Sequence, residues 1–271
     1  MCENVPVPIE RSSAGDPART LELLWREPGR GTSGRGPRQG RTVDEVVDAA
    51  IGIADEAGLE SVTMRKVAQA LGVVPMSLYT YVPGKAELLD LMLDTVYGRM
   101  PRTDRTGEPW RARVEGVARE NRELFERHPW AARVSTVRPP LGPGVMAKYE
   151  HELAAFDGLG LTDVEMDAAL TYLLGFVQTT ARMAADVRGA RHDSAMDDEQ
   201  WWEANQPLLA RVFDETRYPV AARVGGAAGA AHQGAYGPDH AYEFGLRRVL
   251  DGLGALIDAR AGSGTDQSRR P

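Results

Sequence analysis

Apolar residues recur at helical spacing over most of this 271-residue chain, and no segment shows the alternation typical of a half-buried strand. The clearest period lies between residues 43 and 99, where short segments with one apolar face are separated by glycine and proline. Further helical periods follow at 109–127, 142–158, 162–188, 197–213 and 239–260. Residues 225–237 are so rich in glycine and alanine that we predict a loose loop there. The pattern as a whole predicts an all-α protein.

The stretch TMRKVAQALGVVPMSLYTYV carries the signals of two short helices joined by a tight turn. Thr63 is a natural N-cap for the first helix, and Gly72 can end it in the left-handed conformation. Pro75 suits the first position of the second helix, where no backbone N–H is lost. Leu78 and Val82 are expected to point inward. This is the helix-turn-helix arrangement, in which the second helix enters the major groove of DNA.

A helix is predicted on each side of this motif. Thr42 and Glu45 form a capping box that starts the preceding helix, which Gly58 ends. A longer helix from residue 84 to about residue 99 follows the motif and must connect it to the remainder. Residues 101–109 then form a polar linker that we interpret as a domain boundary and hinge.

The first 40 residues contain much proline, glycine, serine and arginine, which predicts a flexible arm. Within it, residues 20–25 are apolar and are expected to dock on the domain or to form a short helix. Five arginines and one glutamate lie between residues 26 and 41, although the whole chain carries a net charge of −7. Phosphate attraction is local, so this cationic run is interpreted as DNA affinity; the alternative is a solvated tail.

Two runs, AAIGIADEAGLESVTMRKVAQALGV and SLYTYVPGKAELLDLM, make residues 43–93 resemble the DNA-binding domain of TetR-family (tetracycline-repressor-like) transcriptional regulators. The late stretch YEFGLRRVLDGLGALI is similar, less specifically, to the last helix of a tetracycline-repressor-type C-terminal domain. The resemblance implies an N-terminal three-helix helix-turn-helix DNA-binding domain and a C-terminal helical ligand-binding and dimerisation domain. The expected divisions are an arm at 1–40, the DNA-binding domain at 41–100, the helical domain at 101–261 and a disordered tail at 262–271.

The resemblance also implies which residues contact DNA. They are Arg41, Thr42, Thr63, Arg65, Pro75, Met76, Ser77, Tyr79, Tyr81 and Lys85. Arg41, Thr42 and Lys85 are expected at phosphates, whereas Pro75 and Met76 suit a thymine methyl group. Two alternatives remain: Arg65 as an ordinary surface arginine, and the tyrosines as core residues.

The resemblance gives the helical body two expected functions. Dimerisation is assigned to the 162–188 helix and to an apolar stripe on the last helix, formed by Phe244, Val249, Leu250, Leu253, Leu256 and Ile257. Ligand sensing is assigned to a pocket lined by large and polar residues. These are Trp110, Phe125, Trp130, Tyr149, His151, Phe156, Tyr172, Phe176, Gln178, Thr179, Met183, Trp201 and Trp202. Any single aromatic residue among them has the alternative of simple core packing.

Other chemistries find little support in the sequence. The five histidines show no zinc-type spacing, and no phosphate-binding glycine loop or nucleophile elbow is present. We therefore expect no cofactor and no enzymatic activity. A single cysteine and the lack of a 20-residue apolar run favour a cytoplasmic protein without a membrane span. The expected function is a ligand-responsive repressor that binds a palindromic operator as a homodimer and is released by a small, largely apolar or aromatic effector. The alternative is an all-helical ligand-binding or scaffold protein that does not bind DNA.

Overall fold

A computed structural model describes residues 10–27, 41–232, 234 and 236–266. Over this part of the chain the only regular elements are helices, which confirms the predicted all-α class. The α-helices are α1 Pro17–Leu24, α2 Val43–Ala57, α3 Met64–Leu71, α4 Pro75–Leu78, α5 Lys85–Gly98, α6 Trp110–Arg127, α7 Pro143–Ala154, α8 Asp163–Ser194, α9 Asp198–Leu209, α10 Pro219–His232 and α11 Pro238–Asp266. None of these helices is long and apolar enough to cross a membrane.

The capping signals of the helix-turn-helix region are confirmed. Thr42 and Glu45 form a reciprocal capping box at the start of α2, and the Thr63 hydroxyl accepts a hydrogen bond from the first turn of α3. Gly72 ends α3 in the left-handed conformation, with φ 68° and ψ 32°. Pro75 is the first residue of α4, a helix of only four residues. Local sequence therefore determines where each helix of this motif begins and ends.

The predicted flexible arm is wrong for residues 10–27, which are ordered. Asp16 caps α1, and α1 packs along α5. The Trp25 indole N–H donates to the Leu141 carbonyl at 2.8 Å, so the apolar island both forms a helix and docks. Residues 28–40, which include three of the five arginines, lie outside the described residues.

Helix α5 joins helices α2–α4, here called the reading head, to the helical body that follows, and it packs most extensively against α7. The Asp94 carboxylate of α5 accepts the Val145 backbone N–H at 2.8 Å and so caps the start of α7. Burial raises the pKa of Asp94, and its hydrogen bonds from Val145 and Gly144 oppose that shift. The α5–α7 crossing is therefore both apolar and specifically hydrogen-bonded.

The close crossing of α5 and α7 gives a stability prediction. A Cβ atom at Gly144 would lie 1.9 Å from the Asp94 carbonyl oxygen, which is backbone and cannot rotate away. Gly144→Ala should therefore lower the free energy of unfolding by about 3 kcal/mol, as overpacking forces the helices apart. Chemical denaturation measures this change. Gly98→Ala, where the new atom would meet only the Gly144 Cα at 3.4 Å, is the matched control and should change stability by less than about 1 kcal/mol. Equal effects of the two substitutions would contradict the prediction.

Helices α6, α8 and α11 pack together with α7 to form the body. Two predictions about its later part are wrong. Residues 219–232 form α10, because alanine favours helix strongly enough to outweigh the scattered glycines, so the loop predicted for residues 225–237 is wrong over residues 225–232. The backbone of residues 262–266 continues α11, where a disordered tail was expected, and residues 267–271 lie outside the described part.

Candidate DNA interface and ligand cavity

The second helix of the motif presents a mixed surface. Met76 is 76 % exposed and Tyr79 is 47 % exposed, while Leu78 and Val82 are buried as predicted. The Ser77 hydroxyl donates to the Val74 carbonyl at 2.7 Å, which leaves its oxygen free to accept. Tyr81 is half-buried and packs against the core, so its position decides neither for a DNA contact nor for a core residue.

The cations of the head differ in their surroundings. Arg65 is exposed on α3 and forms no hydrogen bond or ion pair with any described residue. Arg41 bonds the Leu71 carbonyl at 2.8 Å and Glu45 at 3.2 Å, which orients it between α2 and α3. The Thr42 backbone N–H, followed by the Arg41 guanidinium, lowers the pKa of Glu45. Arg65 is thus more available to an incoming phosphate or base than Arg41 is.

Lys85 is the first residue of α5, and its ammonium group lies 2.6 Å from the Glu10 carboxylate. Both side chains are about 40 % exposed. Thr42 and Thr63 use their hydroxyls as helix caps. The ten predicted DNA-contact residues all lie between Arg41 and Lys85, either on helices α3–α5 or within three residues of a helix end. Whether each contacts DNA stays a prediction.

A cavity of about 1370 Å³ lies beneath this head. Its wall is formed by α5, α6, α7, α8, the segment 133–139, the turn after α2, and Glu10. The lining residues are Glu10, Leu59, Glu60, Lys85, Tyr97, Asn121, Phe125, Arg133, Ser135, Thr136, Val137, Pro139, Val145, Met146, Lys148, Tyr149, Glu152, Asp167, Leu170, Thr171, Leu174, Gly175, Gln178 and Arg182. Exposed members such as Val137 and Tyr149 connect the cavity to solvent.

A buried polar cluster lies in the cavity wall. Lys148 Nζ lies 2.6 and 2.8 Å from the two Glu152 carboxylate oxygens, and Asn121 Nδ2 donates to the same carboxylate at 2.5 Å. Asn121 Oδ1 is buried and accepts no hydrogen bond within the described residues. The Lys148 ammonium also lies 5.3 Å from the centre of the Tyr97 ring. Burial, and then the negative charge of Glu152, raises the pKa of Tyr97, so its hydroxyl stays a neutral donor.

Three of the predicted pocket residues line this cavity. Phe125 supplies an apolar face, the Tyr149 hydroxyl bonds Asp167 at 2.8 Å, and the Gln178 amide is held by the Ala132 carbonyl at 3.0 Å. Tyr97, Asn121, Lys148 and Glu152 were missed. Lys148 and Glu152 have the i, i+4 spacing of an ordinary surface ion pair, so nothing in the sequence marks them as buried.

The other predicted pocket residues do not line the described cavity. Phe156 and Trp130 are core residues, and Trp110 stacks under the Arg111 guanidinium. Phe176 stacks on Tyr242 of α11 with ring centres 5.8 Å apart. Exposed Tyr172, Thr179 and Met183 lie on α8, Trp201 and Trp202 lie exposed on α9, and His151 pairs with Glu120 at 2.8 Å. Helical spacing alone does not show which face of a helix meets a cavity.

The predicted dimer stripe on α11 needs correction. Val249, Leu250 and Leu253 are buried against the protomer's own helices, so they are not available to a second chain. Leu256 and Ile257 are half-buried, and Phe244 is 51 % exposed. An apolar stripe predicts burial, but it does not tell whether the partner surface belongs to the same chain.

An exposed helix-turn-helix head above a cavity-bearing helical body defines the class of a DNA-binding regulator that responds to a small molecule. Comparisons agree with this class. Residues 46–92 match the model of the bacterial regulatory proteins of the tetR family, and residues 102–257 match the tetracyclin repressor-like C-terminal domain. The chain therefore belongs to the TetR family and is a ligand-responsive transcriptional repressor that binds DNA.

Individual relatives support the same assignment. The HTH-type transcriptional repressor DrrR1 of Streptomyces coeruleorubidus is 44 % identical over 255 residues, which span 93 % of this chain and 91 % of the relative. The Escherichia coli tetracycline repressor class A from transposon 1721 is 26 % identical over 218 residues, 77 % of this chain and 88 % of that protein. The crystal structure of ActR of Streptomyces coelicolor with actinorhodin has a TM-score of 0.66 and 27 % identity, and covers 80 % of this chain and 97 % of that one. The alternative of a scaffold that does not bind DNA finds no support among them.

Proposed function

We propose that this chain represses transcription in the bacterial cytoplasm by binding a palindromic operator as a homodimer, and that an aromatic polycyclic ligand in the cavity releases it. One observation supports the release mechanism above all others. Helix α5 carries Lys85, the expected phosphate contact, at its first residue and Tyr97 near its end, and both residues line the cavity. The same rigid element therefore faces both DNA and ligand.

Helix α5 can couple the two sites because it is short and tightly packed. Tyr97 lies twelve positions after Lys85, which corresponds to roughly 18 Å along a helix. A ligand that displaces Tyr97 tilts the helix and moves Lys85 relative to the DNA backbone. Such a ligand must prefer the state that does not bind DNA, and a coupling of about 1–3 kcal/mol is typical of allosteric proteins.

The size and lining of the cavity point to the ligand class. A volume of about 1370 Å³ exceeds the roughly 300–1,000 Å³ of sites for drug-sized molecules. Phe125, Leu170 and Leu174 supply apolar contact, and the Tyr97 hydroxyl and Asn121 Oδ1 supply one donor and one acceptor. A large, flat molecule with both carbonyl and hydroxyl groups fits this lining. The structure of ActR with actinorhodin provides a precedent at 27 % identity.

The homodimer would use exposed apolar surface on the body. Tyr172 of α8 is 68 % exposed, and Phe244 of α11 is also exposed, so these two helices retain apolar faces that their own core does not cover. Within the described residues α9 and α10 bury none of their side chains. A two-fold pair of heads matches the symmetry of an inverted repeat.

The experiment begins with selection of bound sequences from random duplex DNA by the full-length protein. We expect an inverted repeat that binds two protomers. Actinorhodin, used as the first probe, should raise the melting temperature of the protein and weaken operator binding at least tenfold in fluorescence anisotropy. Salicylate, an aromatic too small to fill the cavity, is the matched control and should do neither.

Selected sites without two-fold symmetry would contradict the palindromic operator. A polycyclic compound that stabilises the protein without weakening DNA binding would contradict the release mechanism.

A further inference from the structure

The segment from Glu10 to Arg26, here called the strap, binds the cavity wall. The Glu10 backbone carbonyl accepts a hydrogen bond from the Ser135 backbone N–H at 3.0 Å, and the Ser12 N–H donates back to the Ser135 carbonyl at 3.2 Å. The Ser12 hydroxyl, which is buried, donates to the Arg138 carbonyl at 2.7 Å. These bonds position the start of the strap against segment 133–139.

The strap also binds α5 and the start of α2. The Ser13 backbone N–H donates to the Asp90 carboxylate of α5 at 2.8 Å, and the Asp16 N–H donates to Glu87 at 3.1 Å. At its other end Arg26 forms an ion pair with Asp44 in the first turn of α2. The strap is thus attached to segment 133–139 and α5 at its start and to α2 at its end. These contacts determine where Glu10 lies.

This docking places Glu10 Oε1 2.6 Å from Lys85 Nζ. Lys85 is the residue proposed above to bind a DNA phosphate, and a carboxylate is the closest protein equivalent of a phosphate oxygen. The ammonium group has three N–H donors, but a positive charge already compensated by Glu10 at 2.6 Å attracts a DNA phosphate less strongly. A negative charge beside Lys85 also repels the DNA backbone within a Debye length of about 10 Å at 0.1 M salt.

We propose that the strap is an autoinhibitory element in which Glu10 competes with the DNA backbone for Lys85. The proposal rests on the DNA-binding role of Lys85 within the proposed function. In each protomer a DNA phosphate must compete with Glu10 for the charge of Lys85, so the docked strap lowers operator affinity. Exposed ion pairs are individually weak, which makes the effect a moderate adjustment of affinity and not an on–off switch.

The test is a double-mutant cycle on the full-length protein and its selected operator. Glu10→Gln should tighten binding roughly fivefold for a dimer, the equivalent of an exposed ion pair relieved in each protomer. It should also make the salt dependence steeper, because Lys85 then exchanges a counterion for a phosphate. Glu22→Gln removes the same charge from the same strap, where it pairs with Arg19 and not with Lys85, and should change neither quantity.

Lys85→Ala completes the cycle and separates the two proposals. It should weaken operator binding, and Glu10→Gln should have no further effect in its background. If Lys85→Ala weakens binding but Glu10→Gln changes nothing, or acts equally in both backgrounds, the autoinhibitory strap is refuted and the DNA-binding role of Lys85 stands. Equal tightening by Glu10→Gln and Glu22→Gln would mean that any lost negative charge on the strap tightens DNA binding. That result would also refute autoinhibition by Glu10. If Lys85→Ala leaves binding unchanged, the DNA-binding role itself is wrong.

Discussion

Arg65→Ala combined with Lys85→Ala should weaken operator binding by about 10²–10³-fold at 0.1 M salt while the protein stays folded and dimeric. A dimer would lose four cationic contacts, and each phosphate neutralised contributes about 0.9 to the slope of log affinity against log salt. The slope should therefore become shallower by three to four. Arg65 is exposed without a partner among the described residues and Lys85 is half-exposed, so neither supports the fold. Fluorescence anisotropy across a salt series measures both quantities.

The control for this variant removes the same charge from the body. Arg119 and Arg127 are exposed on α6, and Arg119→Ala with Arg127→Ala leaves the head intact. That protein should keep both its operator affinity and its salt slope. Equal losses in the two double variants would mean that operator affinity depends on the overall charge of the protein. The α3–α5 surface would then not be the interface. Circular dichroism verifies that each variant is folded.

Much of the reading head could be predicted because its signals are local. The Thr42 and Thr63 hydroxyls accept hydrogen bonds from backbone N–H groups within a few residues, and Gly72 takes a conformation that other residues resist. Each of these features is decided by neighbours in sequence. The buried Leu78 and Val82 follow from the same local geometry, since the helix ends determine which side faces the core.

The strap could not be predicted in the same way because its order depends on distant partners. Ser12 binds Ser135 and Arg138, and Ser13 binds Asp90, all more than seventy residues away. A proline- and glycine-rich composition records only that the segment forms little regular structure by itself. Tertiary hydrogen bonds then order part of a segment whose local sequence favours disorder.

The cavity and the dimer surface show a related limit. Phe125 lines the cavity whereas Phe176 faces α11, although both are aromatic residues at core spacing on long helices. The period identifies a face that is buried, but packing decides whether that face meets a cavity, another helix or a second chain. Leu250, predicted for the dimer interface and found in the protomer core, is an instance of the same ambiguity.

The buried ion pair in the cavity wall leads to the second large expected effect. Glu152→Ala alone should lower the free energy of unfolding by about 3–5 kcal/mol, because Lys148 would remain buried without its counter-charge. Lys148→Met combined with Glu152→Leu removes both charges and keeps the volume, so its stability should lie within about 1 kcal/mol of the parent or above it. Chemical denaturation distinguishes the two results.

The double variant also separates ligand recognition from folding. Lys148 and Glu152 contact Asn121 and the Tyr97 ring, so replacing both by apolar groups removes the ion pair from the wall and leaves the Val117 carbonyl as the remaining acceptor of the Asn121 amide. A protein that is stable and binds the operator normally, but needs at least tenfold more polycyclic ligand for release, would show that the ion pair serves recognition. Unchanged release in a stable double variant would show that the pair is only structural, and the ligand's polar contacts would then have to lie elsewhere in the wall. Because α5 carries Tyr97 beside this pair and Lys85 at its start, a loss of release without a loss of DNA binding would place the defect in ligand recognition and not in the DNA contact.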